Sequence, residues 1–292
     1  RHLGQEKWYF RDSNWSPDFA ESAKQALTLY RAEGGEAGPE IDLVVAVTPT
    51  VLEKLIESIG PITVNGMTFY HEDVIAALEY EVEYGYAKRQ IPFEERKKII
   101  KPLTLAVAKA VGKDMVSHAP KYFNLAKDML AEKQILIYSP DSELQKKVAS
   151  LGWSGEVMRT SSDYLLWVDA NLGALKSDHA VTRSLSYTVR PENGRRIAMT
   201  RMTYQHNGKF DWRTTRYQTY ARVYAPVGAR LIGVTKFNNT GAPIAVDPMA
   251  VDQGIDLGRQ WFGTFFVIEP GRTGALEYIY ELPEAQLKSD DN

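Results

Sequence analysis

The spacing of apolar residues changes partway along the chain. Up to Gly152 they recur at three- and four-residue intervals between short continuous apolar runs, and after it they alternate with polar residues. The first period belongs to helices that cover strands, the second to half-buried antiparallel strands. Three times in the first half an apolar run leads to Ser or Thr, then Pro, then a periodic segment closed by Gly. Trp8–Phe10 leads to Ser16-Pro17, with Phe19, Ala23, Leu27 and Tyr30 on one helical face before Gly34-Gly35. Ile41–Val47 leads to Thr48-Pro49 and to Val51, Leu52, Leu55, Ile56 and Ile59 before Gly60-Pro61. Ile135–Tyr138 leads to Ser139-Pro140 and to Leu144 and Val148 before Gly152. A hydroxyl can cap the first free N–H groups, Pro loses no bond at the first helical position, and Gly closes the helix at positive φ. The pattern predicts an α/β sheet covered by helices.

Between the second and third units the spacing predicts helices over 73–84 and 94–111, with Pro102 as a kink or division, and a further helix from Pro120 to Leu130. After Gly152, seven alternating segments read as strands: 164–168, 182–190, 196–205, 214–224, 229–235, 261–268 and 274–282. Turn residues such as Asn193-Gly194 and Pro270-Gly271 separate them. Their regular spacing predicts a β-sandwich of immunoglobulin-like type. The segment 237–253 reads as a long polar loop and the tail from Glu284 as frayed. Domains are accordingly drawn at 1–178 (α/β) and 179–292 (sandwich), the strand 164–168 being assigned to the first.

Composition narrows the chemistry. The chain of 292 residues has no cysteine, so disulfides, thiolate metal sites and a cysteine nucleophile are excluded. A formal charge of −2 gives no bulk electrostatic case for nucleic acid, although 183–236 holds eleven Lys or Arg against two acids. No run of about 18 apolar residues occurs. No signal peptide opens the chain, and the abrupt entry into a strand over 1–8 suggests a fragment whose N-terminal part is missing. The five histidines are never at metal-ligand spacing, and no nucleophile elbow, phosphate loop or dinucleotide fingerprint is present.

Three longer motifs carry a resemblance. The run Trp8-Tyr9-Phe10-Arg11-Asp12-Ser13-Asn14-Trp15-Ser16-Pro17-Asp18-Phe19, the segment from Val168 to Asp178, and Phe210-Asp211-Trp212-Arg213-Thr214-Thr215-Arg216-Tyr217 resemble the bacterial family known as domain of unknown function 4012. That resemblance implies an extracytoplasmic cell-envelope protein, anchored through a membrane segment absent from this chain. More distantly, Phe10-Arg11-Asp12, the stretch Ile41–Val64 and Tyr86-Ala87-Lys88-Arg89-Gln90 resemble LytR-CpsA-Psr enzymes, which move glycopolymers from a polyprenyl pyrophosphate. Pro61 stands where that family has a second Gly, and only one arginine of its helix-entry pair is present. This likeness implies the fold of the α/β part, a magnesium ion, and a lipid-linked glycan or anionic cell-wall polymer as partner.

Four sites follow. Arg11 and Asp12 either grip a phosphate, with Asp12 holding the metal, or pair with one another while Asn14 braces the turn. Lys88 and Arg89 either clamp a pyrophosphate or form a solvated turn. Arg216, Gln218, Tyr220, Arg222 and Tyr224 share one strand face, which either binds an anionic polymer or is simply wet. Asp169, Asn171, Lys176 and Asp178 read as a structural polar strand end. The functional assignment is a protein that holds an anionic glycan carrier, with Arg11, Asp12 and Arg89 as catalytic candidates and Lys88, Arg89 and Asn14 as binding ones. The alternative is a non-catalytic scaffold, adhesion or assembly module.

Overall fold

The computed structural model describes residues 7–36, 40–158, 160, 163–173, 175–238 and 242–284. Two compact units divide between Glu156 and Val157.

The first unit is mostly helical. Its elements are α1 (Phe19–Ala32), β1 (Val44–Val47), α2 (Pro49–Ile59), the hairpin β2 (Ile62–Val64) and β3 (Met67–Phe69), α3 (Val74–Tyr80), the single turn α4 (Tyr86–Lys88), α5 (Ile100–Ala131), β4 (Ile135–Tyr138) and α6 (Ser142–Ser150). The sheet here differs from the expected one. Among the described residues it has two strands, β1 and β4, paired antiparallel with Val44 opposite Tyr138 and Val47 opposite Ile135. Tyr138 packs with Ala20, Ala23 and Leu27 of α1, whereas Val45 and Val47 stay 52% and 62% exposed. Phe10 is not in a strand. The Asp12 carboxylate takes the Tyr9 N–H at 3.0 Å and the Asp12 N–H reaches the Tyr9 carbonyl at 2.8 Å, which closes Phe10–Asp12 into a 3₁₀ turn.

The helix punctuation holds in a modified form. Thr48 and Pro49 begin α2 as expected, but the Thr48 hydroxyl turns to Gln134 instead of capping. In the two Ser-Pro-Asp sequences the helix starts later. Asp18 caps α1 by accepting from Glu21 N–H at 3.1 Å, and Asp141 caps α6 by accepting from Leu144 N–H at 2.8 Å. Each aspartate's own N–H is held by the preceding serine hydroxyl at 3.2 Å. A carboxylate is favoured over a hydroxyl there because it also meets the positive helix end. Gly34, Gly60 and Gly152 have φ of 78°, 85° and 72°, the left-handed closure that the sequence implied.

The long helix α5 organises this unit. Ile99, Leu103 and Val107 lie one turn apart and pack into a core with Ile56, Val64, Phe69, Val74 and Val82. Pro102 does not kink it; it sits in the first turn, where no intrahelical bond is lost. The break falls instead at His118 (φ −129°, ψ 33°), two residues before Pro120. The expected helix over 73–84 is interrupted as well. After Tyr80 the chain makes a π turn over Glu81–Gly85.

The second unit is a sandwich of two antiparallel sheets. It contains β5 (Leu166–Asn171), β6 (Val181–Glu192), β7 (Arg195–His206), β8 (Tyr217–Ala225), β9 (Arg230–Phe237), β10 (Pro243–Val246), β11 (Asp252–Asp256), β12 (Arg259–Ile268) and β13 (Thr273–Glu281). One sheet has the order β10-β9-β13-β7-β6 and the other β11-β12-β8-β5. The strand drawn above as the end of the α/β part, β5, pairs with β8 and so belongs to the sandwich. Within the expected loop 237–253 the chain adds two short strands, β10 and β11, which lack a long alternating pattern. Asn193 and Gly194, at φ 51° and 77°, form the two-residue turn that sets the β6–β7 register. The expectation of a frayed tail lies mostly outside the described residues.

Inner faces of the two sheets interlock through aromatic rings. Tyr204 meets Phe266 at 5.5 Å and Tyr217 at 6.0 Å, and Trp167 meets Tyr278 edge-on at 5.6 Å. Leu276, fully buried among them, has no room to be replaced by solvent. Leu276→Ala should lower stability by about 2–5 kcal/mol; urea unfolding followed by circular dichroism measures it, and a loss under about 1 kcal/mol contradicts this packing.

Candidate functional site

Each of the expected ligand-binding charges has a partner inside the protein. Arg11 lies beside Asp12, with Nε 3.8 Å from Oδ1, and its guanidinium sits 5.3 Å from the centre of the Tyr9 ring. Asn14 is exposed in the following turn. Lys88 donates to the Tyr80 hydroxyl at 2.8 Å and approaches the rings of Tyr80 and Tyr84 at 5.6 and 5.7 Å. That hydrogen bond, followed by the charge interaction with the same tyrosine, raises the Lys88 pKa above its ordinary value. Arg89 reaches the buried Glu81 carboxylate at 3.3 Å.

The Glu81 contact depends on the π turn. Glu81, Val82 and Gly85 are the buried residues of that turn, and a methyl group at Gly85 would come within 2.5 Å of Glu81 Oε2. Glycine there leaves the space that the carboxylate fills. Turns of this kind recur at functional sites, and no residue-spacing pattern announces one in advance.

Arg89 and Glu81 border a cavity of about 630 Å³. Its other charged walls are Glu95, Arg96, Lys98 and Lys101, and Ile91, Ile99, Pro102 and Leu105 supply apolar surface. Arg96 stacks on Phe93 with its guanidinium carbon 3.7 Å from the ring centre, and donates from Nη1 to the Phe93 carbonyl at 3.2 Å. Its Nε is buried and has no hydrogen-bond partner among the described residues. A buried unsatisfied donor carries a cost that a bound acceptor would remove. The structure thus adds Arg96, Lys98 and Lys101 to Arg89, whereas Arg11, Asp12, Asn14 and Lys88 do not line this cavity. Sequence reading passed over the Arg96-Lys97-Lys98 run because it looks like an ordinary solvated face.

Among the described residues no three of His, Asp and Glu gather where a metal could be held. The Asp12 carboxylate, the expected ligand, is engaged by the Tyr9 N–H and lies beside Arg11.

The sandwich has a different polar centre. Asp169 Oδ1 accepts from Tyr204 Oη at 2.7 Å, Thr219 Oγ1 at 3.1 Å and Trp167 Nε1 at 3.2 Å, while Oδ2 accepts from Arg183 Nε at 3.0 Å. Arg183 Nη2 also donates to Asp178 at 2.8 Å and to Tyr217 Oη at 2.7 Å. Asn171 joins by donating to Asp178 at 2.6 Å. Burial opposes the Arg183 charge, but Tyr217, Asp169 and Asp178 outweigh it, so its pKa is raised. Burial first, then Asp169, pushes the Tyr204 hydroxyl up as well.

Two of the motif segments meet beside this centre. Leu175 bridges Thr214, Lys176 N–H reaches the Arg213 carbonyl, and Ser177 Oγ both donates to the Thr215 carbonyl and accepts from the Thr215 N–H, each at 2.9 Å. The fully buried His206 completes the join, with Nε2 2.8 Å from the Thr215 carbonyl and Nδ1 accepting from the Gly208 N–H. Asp169, Asn171 and Asp178 are therefore structural, as the sequence suggested.

The Arg/Tyr face is wet only at its start: Arg216, just before β8, is exposed and Gln218 is half-buried. Tyr220, Arg222 and Tyr224 are 2%, 3% and 1% exposed. Tyr220 donates to Asp252, Arg222 Nη1 donates to Tyr224, and Tyr224 reaches Asp256, all within that sheet. Burial lowers the Arg222 pKa. An alternating pattern cannot reveal that both faces of a strand are covered.

The architecture is thus that of a helical α/β unit with a cationic cavity, followed by a polar-cored β-sandwich. The first 83 residues match the model of a family described as protein of unknown function (DUF4012). The match includes the Trp8–Phe19 motif; the other two motif segments lie beyond it. A search of the curated proteins finds no match, and neither does one of the solved structures. Nothing in these comparisons shows the likeness to LytR-CpsA-Psr enzymes.

Breaking the Asp169–Arg183 pair leaves a poorly solvated charge behind. Asp169→Ala should destabilise the sandwich by about 2–4 kcal/mol, more than Tyr204→Phe, in urea unfolding; equal small losses would show that the carboxylate is not the hub. Burial pushes both Tyr217 and Tyr224 up from 10.0 to about 12. The unfolded tyrosines then lose protons that the folded ones keep, so stability is intact below pH 10 and falls between about pH 10 and 12. Tyrosinate absorbance should rise in step with unfolding in that window, and a smooth titration of the folded protein would contradict it.

Proposed function

We propose that the helical unit is a non-catalytic binding module of the bacterial cell envelope that holds an anionic carrier headgroup, such as a polyprenyl pyrophosphate, in the Arg89–Arg96–Lys98–Lys101 cavity. The reading takes its compartment, and the membrane anchor with it, from the family resemblance. Its ligand class comes from the distant likeness to LytR-CpsA-Psr enzymes, and the immunoglobulin-like character of the sandwich belongs to the same set of proposals. One observation carries it: Arg89, Arg96, Lys98 and Lys101 gather around one cavity, and Arg96 Nε has no hydrogen-bond partner among the described residues. Guanidinium groups suit phosphate oxygens because they donate in a planar fork.

A transferase reading has less support. It needs Arg11, Asp12 and Arg89 around one pyrophosphate, yet only Arg89 borders the cavity and its nearest charge is Glu81. The sandwich favours the scaffold side of the proposal, since Arg183 is bound by Asp169 and Asp178 and Arg222 is buried.

Titration calorimetry with inorganic pyrophosphate, with and without magnesium, tests the assignment. Arg96→Ala should weaken binding at least about tenfold, the worth of one charge-assisted hydrogen bond, while Arg11→Ala leaves it unchanged. Equal binding by wild type and Arg96→Ala rejects the cavity; loss in Arg11→Ala alone restores the original trio.

A further inference from the structure

A surface helix normally presents polar side chains opposite its buried face. The first part of α5 does not. Its core residues Leu103 and Val107 define one side, and on the far side, at spacings of four, three, four and three to four, come Lys101, Leu105, Ala108, Gly112, Met115 and Val116. Leu105 is 59% exposed, Met115 42% and Val116 87%. Past the break at His118, Phe123 is also 72% exposed. Isolated apolar residues on a surface are ordinary, but a run of them along one helix face is not.

The charge around this face has one sign. Between Arg96 and Lys113 the chain carries Arg96, Lys97, Lys98, Lys101, Lys109 and Lys113 and no carboxylate. Asp114, the first acid after them, is engaged by Lys121, His118 and Tyr122. Lys109 and Lys113 flank the apolar stripe on one side. No helix is long and apolar enough to cross a membrane among the described residues. An apolar stripe edged by lysines instead has the composition of helices that lie in the headgroup layer of a bilayer.

We propose that the outer face of α5 is a membrane-surface site that docks on an anionic lipid bilayer. Met115, Val116 and Phe123 enter the boundary between headgroups and acyl chains, and the lysines meet lipid phosphates. The charge fixes the choice of surface, because a second copy of this face would oppose lysines to lysines and a neutral bilayer would leave them unused. The stripe starts at two cavity walls, Lys101 and Leu105, but its docking residues Met115, Val116, Lys109 and Lys113 are not among those walls.

Co-sedimentation of the 292-residue chain with phosphatidylglycerol and phosphatidylcholine vesicles tests it. The chain should pellet with phosphatidylglycerol vesicles and stay in solution with phosphatidylcholine, and raising the salt should release it. Lys109→Gln with Lys113→Gln should weaken binding roughly fivefold per lysine. Met115→Gln with Val116→Gln should abolish it at low lipid while leaving thermal unfolding and pyrophosphate titration unchanged. The proposal is overturned by equal partition onto both lipids, by full binding in the Met115/Val116 variant, or by light scattering that shows the chain self-associated through this face.

Discussion

The sandwich is built around a carboxylate that cannot be left alone. Asp169 is mostly withdrawn from water, and an ion in that position is tolerated only if its lone pairs are taken up. Four donors from four strands do so: Trp167 on β5, Arg183 on β6, Tyr204 on β7 and Thr219 on β8. Because β5 and β8 lie in one sheet while β6 and β7 lie in the other, the same carboxylate ties the layers together. Hydrophobic rings would hold two sheets face to face in many registers. A hub with directional bonds admits one.

The helical unit solves a different problem. Its cations are spread along 88–101, and left to themselves they would repel. Three of them are tempered by neighbours, Lys88 by the tyrosine hydroxyl of α3, Arg89 by Glu81 and Lys98 by Glu95. Arg96 is held flat against Phe93 and keeps a donor pointing at no acceptor. The contrast separates charges that serve the fold from charges that the fold leaves available.

How much of this could be read from the residues depends on the range of the interactions. Strand positions in the sandwich follow from alternation between neighbours, so all seven expected strands are present; β10 and β11 escape because four or five residues rich in Gly, Asp and Pro show no period. The starts of α1, α2 and α6 are legible to within a turn, yet Asp18 and Asp141, rather than the serines before them, do the capping, and the helix expected over 94–111 begins only at Ile100 and runs on to Ala131. Partnerships across long separations were not legible. Nothing local to Asp169 says that Tyr204 and Thr219 will reach it, and nothing near Arg89 says that Glu81 is buried beneath it. The strand expected at Phe10 failed for the opposite reason: a local bond from the Tyr9 N–H to Asp12 outcompetes extension. Of the site residues expected from the sequence, Arg89 alone lines the cavity.

The π turn at Glu81–Gly85 has an evolutionary reading. Such a turn holds one residue more than the α-helical turn it replaces. A relative lacking one residue between Tyr80 and Tyr86 would continue α3 as regular helix, and everything after it would rotate by about 100°. Lys88 would swing away from Tyr80, and Arg89 would leave both Glu81 and the cavity. Chain length in this one turn therefore decides where residues 88 and 89 point. An insertion or deletion here changes chemistry without altering a single charged side chain.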